Sequence, residues 1–232
     1  MNQYRSEWKY ICTDGQLEVL CTRLSGILAA DPHAGTDGTY QVHSLYFDDY
    51  KNSCAAGNES GDGLRYKYRV RYYGNSPETI HLERKAKKYG FGDKKSCPLS
   101  RAEYESLLTG NCCSAFWNTD KALLREFCTA MMTRLFTPKV IIDYERTAFV
   151  EPITHIRVTL DRNISAAYDC NAFETGGYLR FPLQKAHQNI LEVKFDDILP
   201  GWLRQMIENN RIQATTFSKY YLGRKRLEGL LQ

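Results

Sequence analysis

The chain lacks most of the signatures that would fix a function at sight. No apolar run approaches the roughly 18 residues of a membrane-spanning helix, and Met1 to Tyr10 is polar and charged, unlike a secretory leader. Eight cysteines, at 12, 21, 54, 97, 112, 113, 128 and 170, include no CxxC pair and no Cys/His set at zinc-finger spacing. Reduced thiols in a cytoplasmic protein are therefore the expectation. The five histidines are scattered, and no nucleophile–His–Asp constellation stands out. P-loop and GxGxxG motifs are missing, which excludes a conventional nucleotide cradle. Linkers, repeats and low-complexity tracts are missing too, so one domain over residues 1–232 is expected.

What is present is ordinary globular composition, 43% hydrophobic and 25% charged, which excludes disorder and coiled coil. The net charge of +4 is mild but unevenly placed. Ten Lys/Arg against three Asp/Glu lie between Leu64 and Lys95, a local excess of +7, and the rest of the chain carries −3. Concentrated positive charge points to an anionic partner at one site rather than to a generally adhesive surface.

Periodicity predicts strands at Gln3 to Tyr10, Tyr40 to Phe47, Leu64 to Tyr73, Thr79 to Lys87, Lys139 to Phe149, His155 to Ile164 and Ile190 to Phe195. Helices are predicted from an N-cap at Asp14 to about Ala30, from Ser100 to Leu108, from Asp120 to Leu135, from Leu199 to Glu208 and from Phe217 to Leu230. The glycine-containing stretch Asn52 to Gly63 is expected to be a loop. A helix does not follow nearly every strand, so a closed or nearly closed antiparallel barrel is favoured over a doubly wound parallel sheet.

Alternation then sorts the strand residues by face. Arg65, Lys67, Arg69 and Arg71 share one face, opposite Tyr66, Tyr68, Val70 and Tyr72. His81, Glu83, Lys85 and Lys87 share another, as do Arg5, Glu7 and Lys9, then Arg157, Thr159 and Asp161, then Glu192 and Lys194. Five strands thus pair an apolar face with a face of mixed, mainly basic charge. Pattern alone leaves two architectures open. One is a conventional barrel with a charged exterior; the other is a barrel with a polar interior and helices packed over an apolar outside.

The segments Arg5-Ser6-Glu7-Trp8-Lys9-Tyr10, Ser44-Leu45-Tyr46-Phe47-Asp48, Lys67-Tyr68-Arg69-Val70-Arg71-Tyr72-Tyr73, Leu82-Glu83-Arg84-Lys85, Asp143-Tyr144-Glu145-Arg146-Thr147-Ala148-Phe149, Ile156-Arg157-Val158-Thr159-Leu160-Asp161, Leu191-Glu192-Val193-Lys194 and Phe217-Ser218-Lys219-Tyr220 resemble those of the triphosphate tunnel metalloenzymes, the CYTH-like superfamily. More closely, the chain resembles the catalytic domain of the vacuolar transporter chaperone (VTC) polyphosphate polymerases in a bacterial stand-alone form. The resemblance implies an α+β fold, an antiparallel β tunnel barrel with a polar, basic interior and helices packed outside. It implies transfer of the ATP γ-phosphate to inorganic polyphosphate with Mn2+ or Mg2+. By matching position it implies phosphate-binding roles for Lys9, Lys67, Arg69, Arg71, Lys85, Lys94 or Lys95, Arg146, Arg157, Lys194 and Lys219. Of these, Arg69, Arg71, Lys85, Arg146 and Lys219 are the catalytic set. Glu192, with Glu7, is the implied metal ligand.

Two departures qualify the match. Arg5 replaces the superfamily's first signature glutamate, which argues against a standard CYTH triphosphatase or cyclase. Arg146 shares its nominal strand face with Ile142 and Tyr144, the wrong parity for a tunnel residue unless a bulge precedes it. Expected ligands are ATP, inorganic triphosphate and polyphosphate, with no nucleic acid and no transmembrane segment; a membrane-protein partner is left unspecified. A metal-dependent triphosphatase and a non-catalytic polyanion-binding module are the alternatives. Asp48-Asp49 reads as a turn, Asp161 as the partner of a cation, and Cys112-Cys113 as surface thiols.

Overall fold

A computed structural model of the chain describes residues 6–61, 63–88, 91–112, 119–151, 153, 155–196 and 198–230. Arg5 and Cys113 lie outside the described residues. In chain order the elements are β1 (Ser6–Thr13), α1 (Asp14–Ser25), β2 (Ala29–Ala30), β3 (Thr39–Asp48), α2 (Ser53–Glu59), β4 (Leu64–Tyr73), β5 (Ile80–Lys88), β6 (Phe91–Leu99), α3 (Arg101–Thr109), α4 (Ala122–Arg134), β7 (Thr137–Glu151), β8 (Ile156–Ala167), β9 (Phe181–Pro182), β10 (Gln188–Phe195), α5 (Gly201–Asn209), β11 (Gln213–Ala214) and α6 (Lys219–Glu228). They form two compact units, residues 1–41, 144–164 and 184–217, and residues 42–143, 165–183 and 218–232.

In the first unit the strands run β11-β1-β10-β8-β7, with β2 on β7. Val158 and Leu160 of β8 and Leu191 and Val193 of β10 turn one sheet face into a core completed by Leu17, Leu20 and Leu24 of α1 and Leu203 and Ile207 of α5. The opposite face carries the charged residues. Helix α1 begins one residue earlier than the sequence suggests: Thr13 caps it, its hydroxyl accepting from the Gln16 N–H while Gln16 accepts from the Thr13 N–H at 2.9 Å. The helix also stops at Ser25 rather than near Ala30, because Ala29 and Ala30 pair with Phe149 and Val150 as a short strand.

The second unit runs β7-β3-β4-β5-β6. Strand β6 is absent from the sequence reading, although it pairs with β5 from Ile80↔Leu99 to Lys88↔Phe91. The apolar face of β3 and β4 packs on α4, where the Phe127 ring lies 5.0 Å from Phe47 and 4.6 Å from Tyr68. Tyr68 thus packs under a helix. Helix α3 has the capping box anticipated at Ser100, closed by Glu103, and ends at Gly110 with φ 72°, the left-handed conformation glycine adopts without a Cβ clash.

The stretch from Asn52 to Gly63 contains a helix, α2, rather than only a loop. Asp48 and Asp49 cause it: Asp48 accepts from the Cys54 and Ala55 N–H groups at 2.9 and 3.0 Å, and Asp49 from Ser53 at 2.9 Å. Two carboxylates satisfy the donors that a helix start leaves open and complement its dipole. Tyr220 and Arg224 hold Asp48 from α6, and Arg134 holds Asp49. The aspartate pair therefore supports structure, as the turn reading anticipated.

The described pairings are antiparallel and mixed with helices, so the fold class is α+β. Among the described residues the strand path ends at β11 and β6. No described helix is long and apolar enough to cross a membrane. The cysteines at 12, 21, 54, 97, 112, 128 and 170 are free thiols.

Candidate functional site

In the second unit, the register of β3, β4 and β5 builds a cationic face. Arg69 lies across from Tyr46 and Glu83, Arg71 across from Ser44 and His81, and Lys67 across from Lys85. Lys94 sits beside Lys85 on β6. Glu83 is the carboxylate on which this face converges. Glu83 accepts from Arg69 at 2.6 Å and from Lys94 at 2.6 Å, with Arg71 at 3.8 Å. Burial opposes ionisation of Glu83, but Arg69, Arg71 and Lys94 hold its carboxyl well below the usual range. Arg71 is 5% exposed and Glu83 3%, and Lys67, Arg69 and Lys85 are half-buried, so the face is sheltered around Glu83 and opens to solvent at Lys94.

Helix α6 covers part of that face. Its N-cap, Ser218, accepts from Lys67 Nζ at 3.0 Å, and Lys67 also lies 5.3 Å from the Tyr220 ring centroid. Lys219 is the first residue of the helix. Gly223 lets the helix approach the strands, since a Cβ there would meet Ile142 Cδ1 at 2.5 Å. Val140 and Ile142 of β7 lie under α6, on the same strand parity as Arg146. On this stretch of β7, apolar parity marks residues under α6.

Lys95 lies elsewhere. It pairs across β5 with Arg84, on the opposite face, and is 3.8 Å from Glu126 of α4. Of the two lysines the resemblance offered, Lys94 joins the cationic face and Lys95 does not.

In the first unit, β1 and β10 place Glu7 opposite Lys194 and Lys9 opposite Glu192. Lys9 Nζ is 3.0 Å from Glu7 and 3.6 Å from Glu192, and donates to the Phe217 carbonyl at 2.9 Å. Lys194 is 2.6 Å from Glu192 and 4.0 Å from Glu7. Burial would lower the Lys9 pKa, but Glu192 and Glu7 outweigh it and raise the value. On β7 and β8, Arg146 grips Asp161 with two prongs at 2.7 and 2.8 Å and lies 5.0 Å from the Tyr144 ring centroid. Asp161 is thus a cation's partner. Arg157 pairs with the buried Asp31 at 2.6 Å and donates to Tyr40 Oη at 3.1 Å.

Among the described residues no group of three His, Cys, Asp or Glu side chains could hold a metal. Glu7 and Glu192 share the same two lysines and so supply two neighbouring carboxylates. That donor set fits Mg2+ or Mn2+ in the manner of phosphate enzymes, where one or two carboxylates bind the ion and substrate oxygens and water complete its shell.

Sequence reasoning assigned no role to Tyr46. Its hydroxyl accepts from Arg69 Nη1 at 2.9 Å, and its ring lies 5.1 Å from that of Tyr220. Burial raises its pKa, but Arg69, Arg71 and Lys67 pull it down to about 7. The available signal was parity: Ser44 and Tyr46 alternate on β3 as Arg71 and Arg69 do on β4. Only the β3–β4 pairing shows that the two sets meet.

Comparison with solved structures defines the class first. The chain is similar to a putative adenylate cyclase from Bacillus halodurans, at TM-score 0.54 and 11% identity, covering 94% of this chain and 96% of that one. It is also similar to a putative adenylate cyclase from Vibrio parahaemolyticus, at TM-score 0.51 and 8% identity, covering 96% and 98%. At such identities the likeness establishes the fold alone, an antiparallel α+β type. The family follows from the sequence: the VTC domain model matches residues 4–228, and the chain belongs to that family of phosphate-handling proteins. No curated protein sequence matches the chain.

Proposed function

We propose that this protein is an ATP-dependent polyphosphate polymerase. The observation that carries the reading is the convergence of Arg69, Arg71 and Lys94, on one face of β4 to β6, on the buried carboxylate of Glu83. Several cations gathered on one strand face attract an anion, and a chain of phosphoryl groups supplies one at every link. Arg69 and Arg71 stand two residues apart on one strand face, a spacing suited to adjacent phosphoryl groups. Arginine forks chelate two phosphate oxygens each, whereas Lys67, Lys85, Lys94 and Lys219 act as point charges.

In the reaction, a terminal oxygen of polyphosphate attacks the γ-phosphorus of ATP. The bond from that phosphorus to the β–γ bridging oxygen breaks, ADP leaves, and the chain grows by one unit. The nucleophile is already anionic, so no strong general base is required. The protein's part is alignment and charge stabilisation. Arg69, Arg71, Lys85, Arg146 and Lys219 serve as the phosphate-contacting set, with Lys9, Arg157 and Lys194 as supporting cations. Glu192 and Glu7 would hold a divalent ion, which supplies further neutralisation of phosphate charge. Incubation of the purified protein with ATP and Mn2+ is expected to yield ADP and long polyphosphate. Orthophosphate without polymer would instead identify a triphosphatase on the same residues. Binding of triphosphate without turnover would identify a polyanion-binding module.

A further inference from the structure

Thr159, on the first unit's charged face, has an unsatisfied side chain. It is 1% exposed, and its hydroxyl has no hydrogen-bond partner among the described residues. Its neighbours on β8, Val158 and Leu160, are committed to the apolar core, so strand alternation aims Thr159 at the charged face. There it lies directly across from Glu192, with Arg157 and Asp161 two residues to either side. Those neighbours are engaged: Glu192 with Lys194 and Lys9, Arg157 with Asp31, Asp161 with Arg146. Valine would fit a β-strand equally well and bury no polar atom, so a hydroxyl retained there without a partner is a cost to the empty protein.

We propose that the Thr159 hydroxyl donates a hydrogen bond directly to a phosphate oxygen of the substrate, making it a phosphate-positioning contact of the first unit. The proposal rests on the phosphate-binding reading above and deepens it. A hydroxyl is the right group here because the carboxylates Glu192 and Asp161 would repel a phosphate. Thr159 offers a neutral donor between them, while Lys9, Arg146, Arg157 and Lys194 supply the charge. The contact is short-ranged and directional, so it orients one phosphoryl group rather than attracting the chain as a whole.

The test is calorimetric titration with inorganic tripolyphosphate, with and without Mn2+, alongside melting of the unliganded protein. Thr159→Val is expected to melt at or above the wild-type temperature, since it removes an unpaired buried hydroxyl. It should bind tripolyphosphate about tenfold more weakly, the loss of one hydrogen bond to a charged group. Thr159→Ser, which keeps the donor, should bind within about threefold of wild type. If the valine variant does not fold, Thr159→Ala gives the same binding comparison. Wild-type affinity in the valine or alanine variant, with wild-type protein binding normally, overturns this inference alone. A large drop in melting temperature for Val but not Ser also overturns it, because the hydroxyl would then be structural. Failure of the wild-type protein to bind tripolyphosphate overturns the phosphate reading itself.

Discussion

In the first unit the cations have carboxylates close at hand: Asp161 for the buried Arg146, Asp31 for Arg157, and Glu192 with Glu7 for Lys9 and Lys194. In the second, Arg69, Arg71 and Lys94 converge on Glu83. The contrast separates two uses of buried charge. A matched pair is self-contained, and removing one partner strands the other in a low-dielectric setting. Cations that share one carboxylate crowd each other, and removing one member relieves crowding at the expense of anion binding.

The largest expected effect tests the matched side. Asp161→Ala leaves Arg146 buried without its two-pronged partner, and a loss of about 3–5 kcal/mol in urea denaturation is expected. A midpoint close to wild type would erase the distinction between the units. Next in size, Arg71→Ala should cost about 1 kcal/mol or less in stability, because Glu83 keeps Arg69 and Lys94. The same variant should weaken tripolyphosphate binding at least about tenfold. Arg71→Lys should recover only part of this, since the fork is lost, and Lys95→Ala, on the other face, should leave binding unchanged. Unfolding of Arg71→Ala would show that the second unit relies on its cations structurally, as the first does.

A pH dependence sharpens the comparison further. Tyr46 titrates near 7 in the folded protein and near 10 when unfolded. The folded pKa is the lower one, so the contribution to stability is absent below about pH 7. It grows as pH rises towards about 10, and is lost again as pH falls through 7. The stability difference between wild type and Tyr46→Phe should therefore widen from about pH 6 to about pH 9. Ultraviolet absorbance should show one phenolate forming near neutrality. Tripolyphosphate should shift that titration upward by occupying Arg69, Arg71 and Lys67. A difference that stays flat across this range would mean the cations are neutralised by something other than the Tyr46 phenolate.

Much of this was legible along the chain. Strand β4 keeps the limits its alternation predicts, and Ser100 with Glu103 marks the start of α3, because both signals are local: side chains alternate within a strand, and a capping box closes over three residues. Helix α2 was not legible. Its sequence carries glycine and little periodicity, and the carboxylates that cap it are held by Tyr220, Arg224 and Arg134, two of them from a helix more than a hundred residues away. Strand β6 escaped because Gly92 and Pro98 weaken its strand signal, while β5 supplies its ladder.

The sequence by itself determined which residues share a strand face, that one of those faces is basic, and, through its family motifs, which cations belong together. It could not say whether the face was wet or buried. Burial belongs to whatever packs above a strand, and here α6 settles that for Lys67 and Tyr46. Tertiary structure likewise decided that Lys94 and not Lys95 stands beside Glu83, and that Arg146 meets Asp161. It also put Tyr46 under the influence of three cations and left the Thr159 hydroxyl without a partner. Each of these depends on the register between strands distant in sequence, and a shift of one residue would send every one of those side chains to the other face.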